Sequence, residues 1–188
     1  MLHGLGEPSD WVKRWAHLAA PGATVLDLAC GGGRHLRWWA ARGHMVTGVD
    51  RDAEALAGLK GLGELILADI ENEAWPLASR QFGVVVVTNY LWRPLLPAIV
   101  ASVAPGGLLL YETFADGHAA CGRPSRPDFL LQHGELLRAA SGLRVLGYED
   151  GLLAQPARCV QRIAALRPDQ GHLETACTTL PGQALADG

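Results

Sequence analysis

Three short apolar runs early in the chain each carry or end on an aspartate: Thr24 to Leu28 around Asp27, Met45 to Val49 followed by Asp50, and Leu65 to Ala68 followed by Asp69. Between the first two, Leu36, Trp39, Ala40 and Gly43 recur at i, i+3, i+4 and i+7, which predicts a helix after the Gly31-Gly32-Gly33 turn. Strand, glycine turn, helix and strand together open an α/β fold on a mostly parallel sheet. Ligands of open α/β sheets bind beyond the carboxyl ends of the strands, where strand order reverses. The three acids are therefore expected along that edge.

The alternation continues to the end of the pattern. Ser9 is placed to cap a helix with Trp11, Trp15, Leu18 and Ala19 on one face, and Asp52 to cap a short helix ending near Gly61. A fourth strand, Gly83 to Thr88, follows the third too soon for a full helix between them. Leu95 to Val103 reads as helical, Pro105-Gly106-Gly107 as a turn, and Leu108 to Thr113 as the fifth strand. After a loop from Gly122 to Gln132, a helix is expected around Glu135 to Ala140. The last two strands, Arg144 to Asp150 and Cys159 to Leu166, are separated only by Gly151 to Arg158. A parallel crossover needs a dozen or more residues, so this pair should be antiparallel. The expectation is one domain over residues 1–168, with seven strands in one sheet and helices on both faces. Residues 169–188 are polar and aperiodic and are expected to form a mobile tail.

Composition removes several classes. No apolar run approaches the roughly 18 residues of a membrane span, and the first ten residues lack the basic and apolar blocks of a secretory signal. A cytoplasmic location is expected. Cys30, Cys121, Cys159 and Cys177 form no CxxC pair, and the seven histidines form no HExxH grouping, so no metal site is expected. The net charge of −3 and the lack of a basic stripe speak against a nucleic-acid partner.

The segment from Val25 to His35 concentrates the chemistry. Its glycines let a ligand approach the backbone, and the helix start offers unpaired N–H groups. A tight βα connection would look the same, so the acids must decide. Asp50 has two oxygens for the two hydroxyls of a ribose, and Asp69 can accept from the exocyclic amine of an adenine. Helix capping is the plain alternative, for which Asp52 is as suitable as Asp50. A nicotinamide dinucleotide also uses a glycine turn and a distant acid. Asp27 would repel its pyrophosphate, however, and Leu36 stands where its third glycine belongs. An ammonium would be attracted there, and S-adenosylmethionine (AdoMet) carries one on its methionine end.

Asp27-Leu28-Ala29-Cys30-Gly31-Gly32-Gly33 resembles the first motif of class I AdoMet-dependent methyltransferases, with alanine where many members carry the first glycine. Asp50 after the second strand, Ala68-Asp69-Ile70 after the third, and the terminal hairpin match the same family. The resemblance runs from about Trp11 to Arg167 and looks closest to small bacterial methyltransferases of the tellurite-resistance type. It implies a Rossmann-like fold, AdoMet as cofactor, and methyl transfer to a small-molecule acceptor by in-line displacement. It also implies that Asp27, Ala29, Gly31 and Gly33 surround the methionyl part, with Cys30 among the cofactor-binding residues. Asp50 would hold the ribose with Arg51 close by, Asp69 and Ile70 the adenine, and Asn89 would sit beside the sulfonium.

The acceptor is expected where strands four and five end. Tyr90, Arg93, Tyr111 and Glu112 are the candidate contacts, with Tyr90 and Glu112 also candidate catalytic groups. Both tyrosines read equally well as core residues with bonded hydroxyls, and Glu112 as a solvated strand-end acid. Asn89-Tyr90-Leu91-Trp92 lacks the (Asp/Asn)-Pro-Pro-(Tyr/Phe) turn of enzymes that methylate exocyclic amines of bases. Trp75 and Trp92 are placed to wall a pocket, whereas Trp11, Trp15 and Trp39 read as structural. The loop bearing His118, Arg123 and Arg126 is expected to act as a lid. A protonated hydroxyl acceptor would need a general base; a thiolate or oxyanion would not. Two other readings stay open: a nicotinamide-dependent Rossmann oxidoreductase, and a non-catalytic AdoMet-binding module.

Overall fold

The structure, a computed structural model, describes residues 6–169. The strands are β1 (Thr24–Leu28), β2 (Met45–Asp50), β3 (Glu64–Leu67), β4 (Phe82–Thr88), β5 (Val103–Phe114), β6 (Arg144–Ala154) and β7 (Ala157–Leu166). They form one seven-stranded sheet in the order β3-β2-β1-β4-β5-β7-β6. β1 to β5 pair in parallel, and β7 runs antiparallel to both of its neighbours. The order reverses between β1 and β4, so a crevice opens beyond their carboxyl ends. This is the Rossmann-like sheet with a terminal hairpin that the sequence predicts.

The period-two alternation of the strands divides the core into two layers. On one face Val84, Val86, Leu108 and Leu110 pack with Trp11, Trp15, Leu36, Trp39 and Leu56. These last come from three short helices: α1 (Asp10–Trp15), α2 (Arg34–Ala40) and α3 (Ala53–Ala57). On the opposite face Val85, Val87, Leu109 and Tyr111 pack with Ile99 and Leu136, which belong to α4 (Leu96–Ala101) and α5 (Glu135–Ala139). Helices of five to seven residues are marginal alone, and tertiary burial holds them. Ser9 caps α1 as expected, its Oγ accepting from the Trp11 amide at 3.1 Å. No helix occupies residues 68–81 between β3 and β4, also as expected.

The sheet differs from the expectation at two places. The β6–β7 ladder continues through Gly151↔Val160 and Leu152↔Cys159 to Ala154↔Ala157, so the hairpin closes on Gln155 and Pro156 alone. Residues 151–158, expected as a connecting loop, are mostly strand because the antiparallel ladder pairs Gly151 to Ala154 with Val160 to Ala157. β5 likewise begins at Val103, and the expected turn at Pro105-Gly106-Gly107 is a register shift inside it. The expected tail lies, apart from Asp169, outside the described residues. No helix among the described residues is long and apolar enough to cross a membrane, and no group of three or more His, Cys, Asp or Glu among them could hold a metal ion.

Trp39 is fully buried in the layer beneath α2, its ring edge-on to Trp38 at 5.1 Å and to His44 at 4.8 Å. Trp39→Ala should cost about 3–5 kcal/mol through lost burial and a residual cavity. A urea titration would check this, and an unchanged midpoint would contradict the packing described.

Candidate active site

The β1 turn is shaped by its dihedral angles. Ala29, Gly31 and Gly33 have φ of +54°, +49° and +70°. Gly33 is doubly required, since a β carbon there would lie 2.5 Å from Leu59 Cδ2. Ala29 carries a conformation that L-residues other than Asn and Asp avoid, a strain that clusters at functional sites. Its neighbour corrects one expectation. The Cys30 thiol is buried in the α2-side layer and faces the position of Gly48, and it is absent from the walls of the two cavities beyond β1 to β5. Burial holds that thiol well above its ordinary pKa. Cys30 serves the turn through its backbone, the amide donating to Val49 O at 3.1 Å.

Asp50 ends β2 and secures the turn. The Gly31 amide donates to its Oδ2 at 2.7 Å and the Asp52 amide to its Oδ1 at 2.9 Å. Capping of α3 falls to Asp52, whose Oδ1 accepts from Glu54 and Ala55 at 2.9 and 3.1 Å. Each Asp50 oxygen therefore keeps a lone pair for a further donor. Asp69, beyond β3, accepts from the Glu71 amide at 3.1 Å and from Asn72 Nδ2 at 2.9 Å. The Asn72 bond, followed by the backbone bond, lowers its pKa. Ala29, Asp50, Arg51, Ala68, Asp69 and Ile70, together with Glu71 and Tyr90, line a cavity of about 190 Å³.

Asp27 does not line that cavity. Its side chain points from β1 to the α2 side and is 1% exposed, and its Oδ2 has no hydrogen-bond partner. Burial raises its pKa to about 7. His35 Nδ1 lies 3.8 Å from that oxygen, beyond hydrogen-bond reach. His35 Nε2 accepts from the Ser9 amide at 3.1 Å, so the neutral ring carries its proton on Nδ1. Burial pushes the His35 pKa down to about 3. A carboxylate oxygen left unpaired beneath the turn, with acids after β2 and β3, fits a ligand bearing an ammonium, a ribose and an adenine.

A second cavity, of about 320 Å³, adjoins the first at Tyr90 and Glu71. Asn89, Leu91, Thr113, Phe114, Pro124 and Phe129 complete its wall. Asn89 has φ +56° and its amide donates to Glu112 O at 2.9 Å, tying the ends of β4 and β5 together.

Three expected acceptor contacts lie elsewhere. Tyr111 is buried in the α4–α5 layer and its hydroxyl donates to Tyr90 O at 2.9 Å, so the core reading is the right one. Glu112 points to the opposite face, 1% exposed, accepting from Ser9 Oγ at 3.2 Å and from Arg162 Nη1 at 3.4 Å. It anchors the start of α1 and is neither a solvated acid nor a cavity wall. Arg93 donates to both Glu135 oxygens at 2.7 and 3.0 Å and to the carbonyls of Asp128 and Leu130 at 2.8 and 2.7 Å. A guanidinium so fully engaged is a structural clamp. Neither Trp75 nor Trp92 lines either cavity.

The expected lid is fastened as well. His118 is buried, stacks on Phe114 with ring centroids 4.3 Å apart, and accepts from the Cys159 amide at 3.3 Å. Its Nε2 therefore holds the proton and donates to Arg123 O at 3.1 Å. Arg126 pairs with Asp128 at 2.6 Å. Sequence reasoning missed Glu71, Thr113, Phe114, Pro124 and Phe129. The available signal was their position just past β3 and β5 and in the following loop.

The buried Asp27–His35 pair has a signature in stability against pH. Asp27, with its folded pKa raised, stabilises less as pH rises from about 4 to 7; His35, with its folded pKa depressed, stabilises more as pH rises from about 3 to 6.5. Between about pH 4 and 6.5 the two slopes oppose. Relative to the parent chain, Asp27→Asn should become more stable with rising pH across that window, and His35→Gln less stable. Urea midpoints measured at several pH values check both signs, and parallel profiles for all three proteins would refute the assignment.

Comparison with known proteins agrees with the geometry. A family model described as a methyltransferase domain matches residues 25–107. The ubiquinone biosynthesis O-methyltransferase of Paraburkholderia phytofirmans is 35% identical over 114 residues, 55% of this chain and 48% of that protein. The chain thus spans about half the length of the curated relatives it matches. Among solved structures, TehB from Haemophilus influenzae has a TM-score of 0.66 at 21% identity, over 84% of this chain and 61% of that one. An S-adenosylmethionine dependent methyltransferase from Mesorhizobium loti has a TM-score of 0.65 at 19% identity, over 87% and 100%. At such identities the structures speak for the fold, and the sequence matches show a likeness to methyltransferases over about half of the chain. Over residues 25–107 the chain is similar to methyltransferase domains, and its fold is that of solved S-adenosylmethionine-dependent methyltransferases.

Proposed function

We propose that this protein transfers the methyl group of AdoMet to a small-molecule acceptor held in the second cavity, by in-line displacement. The observation that carries the reading is Asp50. It is bound to the β1 turn through the Gly31 amide, freed from helix capping by Asp52, and placed in the cavity wall with a lone pair left on each oxygen. On this reading Asp50 takes the ribose hydroxyls. Asp69 and Ile70 flank the adenine, with Arg51 at the rim, and the buried Asp27 attracts the ammonium through the turn formed by Ala29, Gly31 and Gly33. Asn89, where the second cavity begins, lies toward the sulfonium end. When bound, AdoMet supplies an electrophilic methyl group. The chain contributes alignment and exclusion of water. The curated relatives named as O-methyltransferases support a hydroxyl oxygen as the acceptor atom. Within this proposal the enzyme works in the cytoplasm, where AdoMet is made.

The two competing readings have less support. A dinucleotide would bring its pyrophosphate toward Asp27. A binding module without catalysis leaves the second cavity without a use.

Asp50→Ala should weaken AdoMet binding by about 1.5–3 kcal/mol, or roughly 10- to 150-fold, through the loss of charge-assisted hydrogen bonds. Calorimetry on a variant with a preserved circular dichroism spectrum checks this, and parental affinity would reject the ribose role. Methyl-labelled AdoMet offered with a panel of small hydroxylated acceptors should label at least one of them. Tight AdoMet binding with no transfer to any hydroxyl, thiol or oxyanion would favour the binding module.

A further inference from the structure

The two cavities share Tyr90 and Glu71, so these side chains form the seam between cofactor and acceptor. Glu71 is aimed there by its own backbone, whose amide is held by Asp69 Oδ1 at 3.1 Å. Its carboxylate has no ion-pair partner among the described residues, in contrast to Glu64, Glu112, Glu135 and Glu149. The Tyr90 hydroxyl oxygen is buried and makes no well-formed hydrogen bond. Burial first and the Glu71 charge second hold that phenol above its ordinary pKa, which places the carboxylate close to it. The phenol therefore faces the carboxylate at one point, and Glu71 keeps lone pairs there for a further donor. A buried hydroxyl beside a half-buried, unpaired carboxylate needs an explanation, and a ligand that completes the pair is the direct one.

The rest of the second cavity narrows the ligand. Leu91, Phe114, Pro124 and Phe129 give it apolar and aromatic walls, and Thr113 and Asn89 are neutral. No cation lines it. An anionic acceptor would bring its charge against Glu71 with no cation in the same wall, which costs affinity at short range in a partly dry site. A neutral hydroxyl can donate to the carboxylate, a charge-assisted bond stronger than a neutral one. Flat rings suit walls supplied by two phenylalanines and a proline.

Building on the AdoMet reading, we propose that Glu71 determines acceptor specificity: it accepts a hydrogen bond from a neutral hydroxyl on a flat aromatic acceptor and, with Tyr90, turns that hydroxyl toward the cofactor cavity. Anionic acceptors are rejected by the same charge. Glu71 thus does the polar recognition that Arg93, Tyr111 and Glu112, engaged elsewhere, do not.

The test is binding, measured calorimetrically near pH 7 in the presence of S-adenosylhomocysteine, with three probes of one shape. They are 2-naphthol, a neutral donor; 2-methoxynaphthalene, which has no donor; and 2-naphthoate, an anion. The parent chain should prefer 2-naphthol to each of the others by about tenfold or more. Glu71→Gln should lower 2-naphthol affinity by about tenfold and shrink the preference over 2-naphthoate. Equal binding of naphthol and naphthoate by the parent chain overturns the proposal without recourse to any variant, as does failure of 2-naphthol to bind at all. An unaltered preference in Glu71→Gln overturns it too. Failure of S-adenosylhomocysteine itself to bind the parent chain would instead bring down the AdoMet reading beneath it.

Discussion

A single short hydrogen bond organises the cofactor side of this molecule. The Gly31 amide, in a turn forced to positive φ, donates to Asp50 across 19 residues of sequence. The bond fixes how far the turn stands from the end of β2, and so the width of the cavity between them. It also explains why two adjacent acids have separate duties. Asp52 is bound to its helix, so Asp50 is available to the turn and to a ligand. Had Asp50 capped α3, the Gly31 amide would lack this partner and the cavity would lose its acceptor. The parallel pairing of β1 with β2 supplies the register, setting Leu28 opposite Val49 so that both strands end together.

Charge on the other side of the sheet is used for assembly. Glu112 receives Ser9 and Arg162, Arg162 also pairs with Glu149, and Glu149 reaches Arg14 in α1. The chain of contacts joins β5, β7 and β6 to the first helix, and Trp11 adds a bond from its indole to Ile163 O at 3.1 Å. Buried charges of this kind stabilise little beyond a well-packed apolar alternative, yet removing one partner strands the other. Their consequence is placement. They hold α1 and Ser9 against His35, and thereby close the compartment in which Asp27 sits.

The sequence read well where local patterning and backbone chemistry agree. The valines of β4, the glycines of the first turn and the brevity of the last connection each have one consistent outcome, and the fold follows from them. The acids after β2 and β3 were legible because strand ends in such sheets converge on one edge. The acceptor side was harder to read. A strand-end tyrosine or glutamate looks the same in sequence whichever face it takes, and Tyr111 and Glu112, being neighbours in β5, necessarily point to opposite faces. Arg93 was misread because its partners lie 35 to 42 residues away, in a loop and a helix that periodicity cannot bring near. Cys30 was misplaced because a motif position names a backbone site and not the direction of its side chain.

The engagement of Arg93 has a consequence for how the second cavity takes a ligand. By gripping the carbonyls of Asp128 and Leu130 and both oxygens of Glu135, it holds the stretch that bears Phe129 against the sheet, while His118 fastens the preceding residues by Arg123 and Cys159. The roof over the second cavity is thereby preformed. On the proposed reading, an acceptor entering such a vault is sorted by its shape on arrival instead of by gathering walls around itself. The entropy of ordering that roof is met during folding, once, and not each time a ligand enters.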